Sequence, residues 1–423
     1  MSTVIHTDAV RAALIDGREI ALFDVRDEAI FAEAHPLFAA CLPLALIDYE
    51  ALDRVPRLTT TVVVYDADEG LAAPAAQRLE QLGYTDVRVL SGGLQGWRDA
   101  GGEIFRDVNT PSKAFGELVE ACRHTPSLPP EEVRRRLDAG DDMIVLDARR
   151  FDEYHTMSIP TAVSAPGGEL VYRAGTAALR PDTLVVVNCA GRTRSIIGTQ
   201  SLINAGFPNP VAALRNGTIG WTLAGLTLDH GQSRRALSPG SGVPRPAHVL
   251  DAARSLAERA GVPRIEWSAL DELLGDRSRT TYCFDVRTPE EFMLAHPRGF
   301  RSAPGGQLVQ ETDVFAPVRG ARIVLWDHAG VRADMTGSWL AQMGWTVFVL
   351  HERLDHTRAD LGSWRPRVDR PLTAATAHSA AQRYRRPYEG TDNPRDAMQA
   401  YLEWEYGLVA QLERDGTHRF QVL

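Results

Sequence analysis

Apolar positions along the chain follow a cycle that recurs three times. IALFDVRDEAIF (20–31), MIVLDARRFDEY (143–154) and TYCFDVRTPEEF (281–292) each begin as an apolar run and end in Asp-x-Arg before a polar stretch with an aromatic. Aligned on Asp24, Asp147 and Asp285, the positions 42 residues on are Asp66, Cys189 and Asp327. Each follows a second run: TTTVVVY (59–65), DTLVVVN (182–188) and ARIVLW (321–326). A Leu-Gly, Ala-Gly or Met-Gly pair closes the next helical stretch, and a third run follows: VRVL (87–90), VAAL (211–214) and VFVL (347–350). SAPGG stands at 164–168 and again at 302–306, in the same register. Continuous Val/Ile/Leu runs suit strands buried on both faces, hence parallel sheets. Strands alternating with helical spacing give an α/β doubly wound unit. Each unit spans about 105 residues, an ordinary domain size.

This pattern divides the chain into a first unit (1–108), a helical linker (109–123), a middle unit (124–231), a linker and helix (232–261), a third unit (262–366) and a C-terminal helical extension (367–423). The fold class is therefore three tandem doubly wound parallel-sheet domains plus that extension. Pro111 marks the first turn of the linker helix. SRRALSPGSGVPRPAHV (233–249) reads as loop, and HVLDAARSLAERAG (248–261) as a helix stopped by Gly261. In the tail, one helix is expected from Asn393-Pro394 to Gly416, with a packing stripe of Met398, Leu402, Tyr406, Val409 and Leu412. It should dock on the repeats or on a second subunit, making a homodimer.

Composition narrows the functions. The net charge of −9 argues against a general nucleic-acid or anionic-membrane binder. No apolar run is long enough to span a bilayer, and the N-terminus lacks a signal core, so a cytoplasmic protein is expected. Lys113 is the only lysine among 46 basic residues, which reflects base composition rather than function. Cys41, Cys122, Cys189 and Cys283 form no Cys-x-x-Cys pair, so neither a disulfide framework nor a zinc site is expected. No nucleotide, flavin or metal motif is present, and no cofactor is expected.

Chemistry concentrates in VVVNCAGRTRSIIGTQSLINAG (185–206). The strand ends at Asn188, Cys189 follows, and the loop Ala190, Gly191, Arg192, Thr193, Arg194 leads into a helix starting near Ser195. Ligands bind at the carboxyl ends of such strands. Successive loop amides at a helix N-terminus form an anion-binding nest. A thiol there, beside arginine, should titrate below its ordinary value and act as a nucleophile.

The strand–Cys loop–helix, the upstream Asp-x-Arg and the closing Gly-x-x-Gly-Trp segment resemble the rhodanese family of sulfurtransferases. The likeness covers all three repeats, and so makes each unit rhodanese-like. Many members carry Cys-x-x-Gly-x-Arg-Ser. Cys189, Arg194 and Ser195 match its ends, while the glycine stands one place early at Gly191, with Arg192 in its usual place. The resemblance implies that Cys189 takes the sulfane sulfur of a small anionic donor, with thiosulfate favoured over mercaptopyruvate or a thiol persulfide. It then passes the sulfur to a thiol or cyanide acceptor. Arg192 and Arg194 would face the donor, the amides of residues 190–195 would hold the persulfide, and Arg149 would reach the rim. Asp66 and Asp327 cannot accept sulfane sulfur, and their loops lack the Arg-Ser ending, so both outer units resemble inactive modules.

Other residues stay in the background. Asp147 with Arg149 reads also as a brace for the loop. Arg173 is a second rim candidate. No catalytic histidine is assigned, because Ser158 stands where the family's His would fall. Two other functions compete. A phosphatase or arsenate reductase uses Cys-x5-Arg, whereas only four residues separate Cys189 from Arg194. A non-catalytic scaffold would make use of the fold alone.

Overall fold

The computed structural model describes residues 3–177, 180–237, 247–355, 357–360 and 383–423. Three sheets carry the same parallel strand order. Numbered along each unit, the strands run 1-5-4-2-3. In the first unit these are Thr3–Ile5, Val87–Leu90, Val62–Tyr65, Ile20–Asp24 and Ala39–Cys41. In the middle unit they are Ser127–Leu128, Val211–Leu214, Leu184–Asn188 (β2), Met143–Asp147 (β1) and Val163–Ser164. In the third they are Arg264–Ile265, Thr346–Leu350, Arg322–Trp326, Thr281–Asp285 and Arg301–Ser302. The apolar runs become strands because both sheet faces are covered. Val185, Val186, Val187, Val145 and Leu146 are wholly buried. The register pairs Asp147 with Asn188, so the Asp-x-Arg element ends level with the Cys189 loop.

The first sheet has one further member. Val318–Arg319, from the third unit, pairs antiparallel with Ile20 and Ala21. Tyr282 Oη donates to Arg54 O at 2.6 Å and Arg54 donates to Asp313 O at 3.0 Å across the same boundary. The first and third units are thus joined by backbone as well as by side chains.

The linker helix Thr110–Arg123 (α1) is buried along its first eight residues. It packs between Thr193–Asn204 (α2) and the tail, a central post rather than a tether. The counterpart of α2 in the third unit is Val331–Gln342 (α3). The equivalent positions Ser201 and Trp339 meet between these two helices, the indole N–H donating to Ser201 Oγ at 2.8 Å.

The tail departs from the expected single helix. It forms Arg395–Tyr406 (α4) and Leu408–Asp415 (α5), divided at Gly407. Glycine is a poor helix former and permits the break there. The buried face becomes Met398, Tyr401, Leu402, Glu405, Leu408 and Leu412, while Tyr406 is half exposed. This face docks on the chain itself: α5 on α1, and α4 on α1 and on Gly217–Leu223.

The two SAPGG segments meet backbone to backbone. A Cβ on Gly168 would lie 2.7 Å from Gly306 N, and one on Gly306 would lie 2.8 Å from Gly168 N. Gly168→Ala is expected to cost about 1–3 kcal/mol, as overpacking does. Denaturant unfolding would read this as a lower midpoint, and an unchanged midpoint would show that the contact is soft.

Candidate active site

β2 delivers Cys189 to the carboxyl end of the middle sheet, and α2 begins at Thr193, slightly ahead of the expected start at Ser195. The loop between is pinned on both sides. Cys189 O accepts from Thr218 N at 2.8 Å, and Ala190 O from Ile219 N at 2.9 Å. Gly217, with φ of +54°, passes so close that a Cβ there would sit 2.3 Å from Cys189 O. Asn188 Nδ2 donates to Asp147 at 2.8 Å, fixing the residue before the cysteine. The thiol donates to Ser195 Oγ at 3.3 Å, and Ser195 Oγ donates to Arg192 O at 2.8 Å.

Cys189 is only 1 % exposed. Burial pushes its thiol above the ordinary value, while Arg194 and the hydrogen bonds with Ser195 pull it back and Glu405 pushes it up again. The expected depression is therefore reversed in this closed arrangement, because desolvation exceeds the loop's attraction for the thiolate. The tail closes over the neighbouring loop residues. Ala190 and Ile219 pack with Tyr388, Met398, Tyr401 and Leu402 in one apolar cluster.

The arginines divide differently from expectation. Arg192 turns away from the cysteine. It pairs with Glu117 at 2.7 Å and with Glu120, and stacks over the Tyr406 ring at 4.1 Å. Two carboxylates on α1 hold it more firmly than a transient donor could, so it anchors the loop to the linker helix. Arg149 is fully buried. It clasps Asp147 at 2.7 Å and donates to Met157 O at 2.6 Å, so it braces β1 instead of reaching the rim. Asp24–Arg26 and Asp285–Arg287 repeat this clasp, each at 2.6 Å. Arg173 pairs with Glu169 at 2.5 Å and lines a cleft of about 330 Å³ between the middle and third units.

Arg194 stays beside the thiol electrostatically, but its guanidinium is held by Glu153 at 2.7 and 2.9 Å. The third unit has the same pair, Arg332 with Glu291, at the equivalent positions of its own repeat. The loop DHAGVRAD thus keeps the arginine of the Arg-Ser ending but has Ala333 for the serine and Asp327 for the cysteine. Burial opposes the ionised Glu153, yet Arg194 holds it at about 2. A depressed folded-state value means stability that is present above the ordinary 4.5 and lost as pH falls toward 2. That linkage is about 3 kcal/mol. Acid unfolding of Glu153→Gln should therefore show a shallower loss between pH 4.5 and 2 than the unsubstituted chain. Coincident curves would remove Glu153 from the acid response.

In the outer units the first loop residue fills its own loop. Asp66 Oδ2 accepts from Leu71 N at 2.6 Å and Ala72 N at 3.0 Å, and Oδ1 from Asp68 N at 3.2 Å. Asp327 accepts from Ala329 N, Gly330 N and, at 2.8 Å, Ala333 N. Their carboxylates occupy the amides that a bound anion would use. The other cysteines lack such loops. Cys283 lies in a strand, and burial pushes it up to about 12. Cys41 is held up by burial and Asp24, and Cys122 is exposed on α1.

Two features of the site were missed in the sequence. The Glu–Arg pairs were detectable by aligning the second and third repeats. Glu405 was not, since the loop it covers belongs to a different unit, far upstream in the chain. Among the described residues, no helix is long and apolar enough to cross a membrane.

A family model for the rhodanese-like domain matches residues 7–100 and 129–224. The chain is similar to a thiosulfate sulfurtransferase of Pseudomonas aeruginosa, known from a crystal structure, at 48 % identity and a TM-score of 0.94 over 100 % of both chains. The Alr3790 protein of Anabaena sp. shares 24 % identity over 25 % of this chain and 83 % of its own, with a TM-score of 0.24. The BH2092 protein of Bacillus halodurans shares 22 % over 26 % and 85 %, with a TM-score of 0.23. At that level of superposition, nothing about this chain follows from the last two. No curated protein matches the chain.

Proposed function

Since the chain belongs to the rhodanese-like family of sulfurtransferases, we propose that Cys189 is its sulfur-carrying nucleophile and the middle unit its catalytic domain. One observation carries this reading: of the three equivalent loops, only this one begins with a thiol, beside a hydroxyl and at the start of a helix, where the others place a self-satisfied carboxylate. The Cys189 thiol loses its proton to solvent. Its thiolate attacks the outer sulfur of the donor, the donor's S–S bond breaks, and the electron pair leaves with the departing group, sulfite when thiosulfate is the donor. An acceptor thiolate or cyanide then attacks the outer sulfur of the persulfide and releases the Cys189 thiolate, giving ping-pong kinetics. Ser195, the amides at the start of α2 and the positive charge of Arg194 stabilise the terminal sulfur anion. Arg192 and Arg149 hold the loop and the strand beneath it. The outer units serve as scaffold, bounded by the divisions at 108, 123, 231 and 261, while the division expected at 366 lies outside the described residues. Four free cysteines suit a reducing, cytoplasmic compartment.

The test is mass spectrometry after incubation with thiosulfate. One added sulfur, about 32 Da, is expected on Cys189. No adduct from thiosulfate, mercaptopyruvate or a thiol persulfide would make the chain a scaffold. Hydrolysis of p-nitrophenyl phosphate that depends on Cys189 would make it a phosphatase instead.

A further inference from the structure

The strongest unexplained group lies in the tail. Glu405, at the end of α4, is 1 % exposed and sits against the Cys189 loop. Its Oε2 lies 3.0 Å from where a Cβ on Gly191 would be, and has no hydrogen-bond partner. Its Oε1 accepts from Tyr401 Oη at 2.9 Å and lies 3.5 Å from Thr193 Oγ1. A buried oxygen without a partner is costly. Glu405 brings a carboxyl to the middle loop by another route than the sister loops use, and it bonds none of the loop amides. Asp66 and Asp327 each bring a carboxylate to the loop amides from within, and the middle loop, beginning in cysteine, has a carboxyl brought to it from the tail.

The geometry points to Glu405 as a specificity-determining residue of the Cys189 site: a carboxyl gate at the tail–loop contact that admits anionic reagents when protonated and repels them when ionised. The inference deepens the persulfide reading of Cys189, and takes its biological meaning from it. The groups facing Glu405 are Glu117 and Lys113 from α1, Arg192 and Cys189 from the loop, and Tyr401 from its own helix. Lys113 is itself engaged. It pairs with Asp107 at 2.6 Å and lies under the rings of Tyr388, Tyr401 and Trp404. Burial first, and then the neighbouring Glu117, push Glu405 up to about 8, against the pull of Lys113, Tyr401 and Arg192. Near pH 6.5 the gate is neutral. Above pH 8 it carries a negative charge beside the thiol. Glu405 presses on the loop at Gly191 and Thr193, so a reagent that reaches the thiol passes this carboxyl while it is still docked and buried.

Alkylation tests this without relying on sulfur transfer. The full chain is treated with iodoacetate, an anion, or with iodoacetamide, which is neutral and of similar size, from pH 6.5 to 9. Peptide mass spectrometry isolates the rate at Cys189 from that at Cys122 and Cys41. Thiol ionisation affects both reagents alike and cancels in their ratio. The iodoacetate-to-iodoacetamide ratio is expected to fall about fivefold or more across this range, as a like charge develops nearby. In Glu405→Gln the ratio should stay flat. A ratio constant with pH in the unsubstituted chain overturns the proposal, and needs no variant. An equal fall in Glu405→Gln also overturns it, as does a Cys189 that neither reagent reaches. A falling ratio in a chain that never acquires sulfur from any donor would keep the gate and remove the sulfurtransferase mechanism.

Discussion

Cys189→Ser is expected to lose sulfur transfer by at least about a thousandfold in kcat/KM, down to the uncatalysed background, with the fold intact. The oxygen is close in size and keeps a hydrogen bond to Ser195, and the backbone contacts of Cys189 and Ala190 with Thr218 and Ile219 do not involve the side chain. What disappears is the one sulfur atom of this loop. A hydroxyl is a far weaker nucleophile toward sulfur and is not ionised near neutral pH. Steady-state rates with thiosulfate and cyanide, alongside thermal unfolding, separate chemistry from folding. Retained turnover in the serine variant would move the nucleophile elsewhere, with the exposed Cys122 as the first suspect.

Asp147→Ala should lower stability by about 3–5 kcal/mol, because removing one member of a buried pair leaves the other uncompensated. Arg149 donates to Asp147 through its backbone N–H, Nε and Nη2 at 3.1, 2.9 and 2.7 Å, and both residues are shielded from water. Asp147 also receives Asn188, so its loss loosens the residue ahead of Cys189. Denaturant unfolding would show the change, and activity should fall with it. The double variant Asp147→Ala with Arg149→Met removes the stranded charge and is expected to recover much of the stability. If the single and double variants unfold alike, the arginine was never the source of the cost.

Periodicity exposed much of this architecture. Runs rich in Val, Ile and Leu became the central strands, and the constant spacing between runs placed Asp66, Cys189 and Asp327 at equivalent loops, because local pattern sets strands and their ends. What escaped depended on contacts distant in sequence. Arg192 shares a short loop with the thiol, yet Glu117, on the linker helix, decides where it points. The upward shift of the thiol followed from burial, which loop composition could not reveal. The tail stripe was right at Met398, Leu402 and Leu412, but the helix ends at Gly407, Tyr401 and Glu405 share the buried face, and Tyr406 is half exposed. The pairing of Arg194 with Glu153 was legible in principle, since Arg332 and Glu291 repeat it at the same interval.

The antiparallel pairing of Val318–Arg319 with Ile20 and Ala21 has a consequence for biosynthesis. About 300 residues separate the partners, so at ribosomal speeds of roughly 5–20 residues per second the first sheet waits some 15–60 s for its last member. Through that interval the nascent chain carries an open hydrogen-bonding edge, the kind that invites pairing with a neighbour on the same messenger.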